Sequence, residues 1–361
     1  MHSAYACGKL YIAGEYAVVK PGGRAVIVAV NRGVTATVSD AQDVTVRSDF
    51  YGSKPQSVCF DASLSARVAL RERDYAAAAI MVVERLRAAR GVAQRGYELR
   101  LVSNLDNGTG YKIGLGSSGA VVAATVQALT DFYGLGCDRG TVLQLAIIAT
   151  ADISVRGSGG DIAASLYGGW IRYTSPDRAV ISAAYTAGGV LAALESVGWR
   201  SMSVRQLPAP KSGSLLVGWT AKPAATEHMV ATVAADQSFA DTEFCEFASA
   251  SDSNVEMLIE GLADGDYARI SGAIARAGEL LRELASKRGA EIETAQLKKL
   301  GEIAVQQGCA AKTSGAGGGD CGIAFASTHE IAQKVLELWV EAGITPLKLA
   351  VSEGCGEDFE H

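Results

Sequence analysis

Four short stretches of this sequence place charged or hydroxyl side chains where the backbone is unusually free. The first is Lys112-Ile113-Gly114-Leu115-Gly116-Ser117-Ser118-Gly119. Glycine turns tightly and lets a ligand approach the backbone closely. An apolar helix is expected directly behind it, over 120–132. Its unpaired first-turn N–H groups and its dipole favour a phosphate in the loop. Ser117 and Ser118 add hydroxyls that suit phosphate or Mg²⁺, and Lys112 adds a cation. The second stretch is Gly157-Ser158-Gly159-Gly160-Asp161. An acid closing a glycine loop is a metal ligand, a positioning group or a base, or else it caps the next turn. The third is Lys312-Thr313-Ser314-Gly315-Ala316-Gly317-Gly318-Gly319-Asp320-Cys321-Gly322. Such a density of glycine beside a strand suits a nest of N–H groups around an anion, the alternative being a flexible hairpin. The fourth, residues 7–19, carries Lys9 inside an apolar strand-like run. A lone charge there is costly unless it is paired, functional or able to snorkel to water. Glu15 follows a glycine in the same stretch.

Other chemistries fit less well. Gly114-x-Gly116-x-x-Gly119 also spells the dinucleotide fingerprint of an NAD-dependent oxidoreductase. That motif belongs in a first βα turn with an acid about 20 residues on. Here it starts past residue 110, and the nearest acid, Asp131, falls in the expected helix. The P-loop pattern is absent. Four dispersed histidines give no zinc set and no His-based triad. His228 reads as an exposed helical residue.

The elements that must carry these loops follow from the apolar pattern. Strands are expected at 25–30, 33–39, 44–48, 97–102, 169–173, 215–220 and 345–351. Helices are expected at 74–90, 120–132, 143–155, 223–235, 252–263, 266–287 and 294–307. Ser327 with Glu330 predicts a capping box for one more helix, ending at Ala342. This order is α+β and not a regular βα alternation. With 361 residues the chain exceeds what one core usually reaches. Pro208 and Pro210 mark the junction, giving expected domains 1–210 and 211–361.

Composition narrows the partners. The net charge is −6, the pI near 5.4, and no Lys/Arg block stands out. Nucleic acid and anionic membrane are therefore not expected partners. No apolar run reaches the roughly 18 residues of a membrane span, and no leader pattern precedes the first strand. Seven scattered cysteines read as reduced thiols, so a cytoplasmic location is expected. The 41 glycines exceed the roughly 25 that average usage would give. Ten of them fall at 114, 116, 119, 157, 159, 160, 315, 317, 318 and 319.

Taken together and in order, CGKLYIAGEYAVV, KIGLGSSGAVVAA and KTSGAGGGDCGIA resemble the three motifs of the GHMP kinase superfamily. Within it, the first and third, with LVGWT at 216–220 and His228-Met229, are most similar to the members that phosphorylate (R)-5-phosphomevalonate. The resemblance covers nearly the whole chain. It implies an N-terminal ribosomal-S5-domain-2-like domain, a C-terminal ferredoxin-like domain, and an active site in the cleft between them. It implies ATP with Mg²⁺ as donor and a small phosphorylated acceptor, in a monomer or homodimer. Gly114, Leu115, Gly116, Ser117, Ser118 and Gly119 would cradle ATP, with Ser118 and, on the preceding helix, Asp152 as metal ligands. Lys9, Lys112 and Asp161 would be catalytic. Lys9, Tyr16, Ser158, Asp161, His228, Ser314 and Gly315 would meet the acceptor. Mevalonate kinase and a mevalonate-phosphate decarboxylase are the alternatives on the same fold. A binding protein that has lost turnover is disfavoured by Lys9, Lys112, Ser118 and Asp161 all being kept.

Overall fold

The computed structural model describes residues 1–48, 56–60, 66–68, 74–106, 113–151, 153, 157–221 and 242–361. Its first half is built on two long antiparallel strands, β1 (His2–Ala13) and β2 (Arg24–Asp40). The separate strands expected at 25–30 and 33–39 are one. Residues 25–30 are buried without interruption, and alternation begins only after Gly33. The break in pattern reflects a change in cover, not a turn. The register between β1 and β2 slips at Cys7/Gly8 and again at Tyr11/Ala13.

Around this pair, β3 (Thr45–Ser48), β4 (Gln56–Phe60) and β5 (Ala66–Val68) extend one edge. Next come α1 (Tyr75–Ala89), β6 (Tyr97–Ser103), α2 (Ser117–Phe132), α3 (Arg139–Ala149) and α4 (Gly160–Tyr167). Then β7 (Trp170–Thr174), α5 (Arg178–Leu194) and β8 (Ser203–Leu207) complete the half. Sequence pattern missed α5, which buries only Ile181, Val190 and Ala193 and is interrupted at Gly189. It also missed β8, read as part of a junction because two prolines follow it.

The second half holds β9 (Ser214–Trp219), α6 (Thr242–Asp264), α7 (Tyr267–Arg288) and α8 (Ala295–Gln306). It continues with β10 (Ala310–Thr313), β11 (Cys321–Ala326), α9 (His329–Glu341) and β12 (Thr345–Pro346). Its antiparallel sheet runs β10-β11-β9-β12. The helix expected at 223–235 lies outside the described residues.

Two features bind the halves. Helix α6 packs on β2, where Asp252 Oδ1 accepts from Arg24 N at 3.0 Å and Glu256 pairs with Arg24 and Arg172. The main apolar core runs from Val26 and Ile27 through Val255, Leu258 and Ile274 to Phe325. The tail beyond β12 also leaves its own sheet. Val351 bridges Val30, and β13 (Phe359–Glu360) pairs with β8. The strand expected at 345–351 is thus divided between two sheets. Among the described residues no helix is long and apolar enough to cross a membrane.

Candidate active site

Lys9 stands where β1 meets the first glycine loop. Its backbone N–H donates to Leu115 O at 2.8 Å, and its Nζ donates to Gly114 O at 3.3 Å. A Cβ placed on Gly116 would lie 2.9 Å from Lys9 Cε, so the lysine stem runs across the loop. The ammonium also lies 5.5 Å from the Tyr11 ring centroid. The strand therefore delivers a cation to the mouth of the loop, and the carbonyl contact meets the cost of a partly buried charge. Behind the loop, α2 follows Gly116, which lies in the left-handed region, and no side chain caps the helix. Its first-turn N–H groups have no intrahelical partners and point an anion-binding end into the loop. Ser117 and Ser118 lie half-buried there.

Asp161 approaches from the other side, in the first turn of α4, an end that favours a carboxylate. A Cβ on Gly119 would lie 2.7 Å from its Oδ2. Glycine is required there, because any side chain would displace the acid. Beneath Asp161, the Ser158 hydroxyl shares a 3.1 Å hydrogen bond with Tyr11 Oη and accepts from Gly160 N at 3.2 Å. Tyr173 Oη donates to Ser158 O at 2.7 Å. Arg178 holds Gly157 O at 2.8 Å and Thr150 Oγ1 at 3.1 Å. Burial, and then the nearby Asp161 charge, push the Tyr11 phenol far above its ordinary range. Burial and then Tyr11 do the same to Tyr173. Both are fixed as neutral hydrogen-bonding groups. Burial also holds the Arg178 guanidinium below its usual value, with Tyr173 and Asp161 opposing.

The third loop descends from the second sheet onto the first loop. A Cβ on Gly114 would lie 2.7 Å from Asp320 Oδ2, and Cys321 Sγ donates to Ile113 O at 2.9 Å. A Cβ on Gly315 would lie 3.8 Å from Lys9 Nζ. Ser314 Oγ donates to Tyr11 O at 2.9 Å, and Tyr16 Oη donates to Ala316 O at 2.5 Å. The protons of both hydroxyls are thus engaged by backbone carbonyls. Tyr16 itself holds φ 61°, a conformation rare for a bulky residue. Lys312 Nζ pairs with Glu15 Oε1 and donates to Thr313 O at 2.6 Å.

Lys9, residues 114–119, Ser158, Asp161, Tyr16, Ser314 and Gly315 are therefore brought to one place. Lys112, Asp152 and His228 lie outside the described residues. Sequence reasoning missed Asp320 at Gly114, Arg178 behind the 157–161 turn, and the Glu15–Lys312 pair. The signal for the pair was present: Lys312 interrupts a buried strand just as Lys9 does.

The donor set suits magnesium and nucleotide. Serine hydroxyls and a carboxylate are hard oxygen donors. Among the described residues no three His, Cys, Asp or Glu side chains cluster as a metal cage. Mg²⁺ usually takes one or two protein oxygens and completes its shell with phosphates and water.

Residues 74–169 match the family of GHMP kinases N terminal domains, and residues 258–345 the family of GHMP kinases C terminal domains. The chain belongs to the GHMP kinases. It is 40% identical to the phosphomevalonate kinase of Streptomyces sp. (strain CL190), over 96% of each chain. The Streptococcus pneumoniae phosphomevalonate kinase, solved with phosphomevalonate and AMPPNP, superimposes with a TM-score of 0.84 at 29% identity. It covers 97% of this chain and all of that one. The Lin0012 protein of Listeria innocua gives a TM-score of 0.90 at 29% identity, with 99% of both chains covered.

Proposed function

We infer that this chain transfers the γ-phosphoryl group of ATP to the phosphate of (R)-5-phosphomevalonate, giving ADP and the 5-diphosphate. The observation that carries this reading is the convergence of Lys9 Nζ on the 114–119 loop opposite Asp161, in a chain 40% identical to a phosphomevalonate kinase over nearly its whole length. In the transfer, an acceptor phosphate oxygen bonds to Pγ while the bond from Pγ to the β,γ-bridging oxygen breaks. The acceptor oxygen is already ionised at neutral pH, so no proton has to be removed. Asp161 is then an orienting carboxylate and not a general base. Lys9 stabilises charge on the moving group, which is the larger demand of phosphoryl transfer. The 114–119 loop and the first turn of α2 hold the donor phosphates. Mg²⁺, for which Ser118 and Asp152 are the proposed ligands, would neutralise donor phosphate charge. Lys112 supplies a further cation, and Ser158 and His228 contact the acceptor.

The enzyme acts as a monomer or as a homodimer with one such site in each chain. A cytoplasmic location is supported by the demand for ATP and by Cys309 and Cys321 being buried thiols. The test is incubation with ATP and, separately, mevalonate, 5-phosphomevalonate and 5-diphosphomevalonate. ADP release with 5-phosphomevalonate alone, and no CO₂, is expected. Turnover with mevalonate alone would overturn the reading.

A further inference from the structure

Glu15 and Lys312 stand outside the groups that this reading places on substrate. Yet they are 4% and 1% exposed. A buried charge is tolerated only when paired and hydrogen-bonded. The pairing here joins the two halves of the molecule. Glu15 follows β1, six residues after Lys9, and Lys312 lies in β10 at the root of the third loop. Glu15 Oε1, the oxygen paired with Lys312 Nζ, also accepts from Gly315 N at 3.3 Å. Two neutral bonds flank it, Ser314 Oγ to Tyr11 O and Tyr16 Oη to Ala316 O.

We propose that Glu15 and Lys312 form a positioning pair that sets the height of the 314–319 loop over the Lys9 ammonium. One carboxylate oxygen fixes both the strand that carries the loop and the loop's first glycine amide. Lys9 and the loop then meet the transferred phosphoryl group in a single geometry. Neither residue is among the groups assigned to substrate. Well-packed apolar residues would serve stability as well as an ion pair does. What they would lack is the direction that one oxygen imposes on both the ammonium and the Gly315 amide. The proposal rests on the kinase reading for its kinetic consequence, but not for the tether itself.

The test compares Glu15→Gln, Lys312→Met and the double variant with the parent, using ATP and (R)-5-phosphomevalonate. Each single change is expected to lower the melting temperature, by stranding a buried charge, and the double variant to recover it. In all three, kcat is expected to fall about tenfold to a hundredfold, as displacement of a positioned group does. Both KM values should stay within about threefold of the parent. A double variant that recovers kcat together with its melting temperature would overturn the proposal, as would a loss carried by KM. Should the charged variants fail to fold, Tyr16→Phe removes one tether of the same loop without adding or stranding a charge. It must lower kcat, and an unchanged kcat would count against the tether. Hydrogen exchange of the 315–319 amides without ligand must quicken in Glu15→Gln, and unchanged exchange would refute the pair's role. A parent inactive on 5-phosphomevalonate would refute the kinase reading alone, with the exchange result still judging the tether.

Discussion

A methyl group on Gly119 would stand 2.7 Å from Asp161 Oδ2, well inside van der Waals contact. Gly119→Ala is therefore expected to push the acid aside while improving helix propensity in α2 by about 1 kcal/mol. Turnover should fall about tenfold to a hundredfold with the melting temperature held or raised. Steady-state kinetics beside a thermal melt checks both, and parental turnover would remove Asp161 from any demanding role. Lys9→Met keeps a stem of similar length along Gly116 but removes the charge. A loss of about a hundredfold to a thousandfold in kcat is expected with folding intact. Lys9 was legible in the sequence because a charge inside an apolar run is conspicuous. Asp320 was not. It sits in a glycine-rich loop where an acid looks ordinary, and only the approach of that loop to Gly114 shows what it meets.

Elements were read well where burial is periodic and poorly where tertiary cover decides. Helix α9 illustrates the limit. Ser327 and Thr328 are adjacent hydroxyls, and either could cap. The helix phase is set by Ala332, Val335 and Trp339 entering the core and by Trp339 Nε1 donating to Leu300 O at 3.0 Å. That phase makes Thr328 the cap, its Oγ1 accepting from Ile331 N at 3.2 Å. Thr328→Ala should cost about 1 kcal/mol and Ser327→Ala only a few tenths, read from urea unfolding. The reverse order would restore the Ser327–Glu330 box. Helix α5 fails for the opposite reason, since three buried residues in seventeen leave no stripe for a periodicity argument to find.

Across the whole molecule, six buried phenols share one titration behaviour. Burial is the leading cause that raises Tyr11, Tyr16, Tyr97, Tyr133, Tyr167 and Tyr173 above the ordinary value of 10.0. Below that value both the folded and unfolded chains keep these protons, and the stabilisation is complete. Above it the unfolded chain loses them first, so stability falls as pH climbs through the window between 10.0 and the raised folded values. Phenolate absorbance and circular dichroism should therefore change together, in a step steeper than one proton. Titration of all twelve tyrosines with intact dichroism would disprove the coupling. A two-part organisation was legible from the chain length and the proline pair. The return of the tail was not, because Val351 and Phe359 pair with strands far away in sequence. That return means the chain passes between the sheets twice, once between Leu207 and Ser214 and again between Pro346 and Val351. A body hung on one strand can swivel in any direction. Here the halves also share a core that runs from Val26 to Phe325, so the third glycine loop is held at Lys9 by two passages of the chain and by packing together.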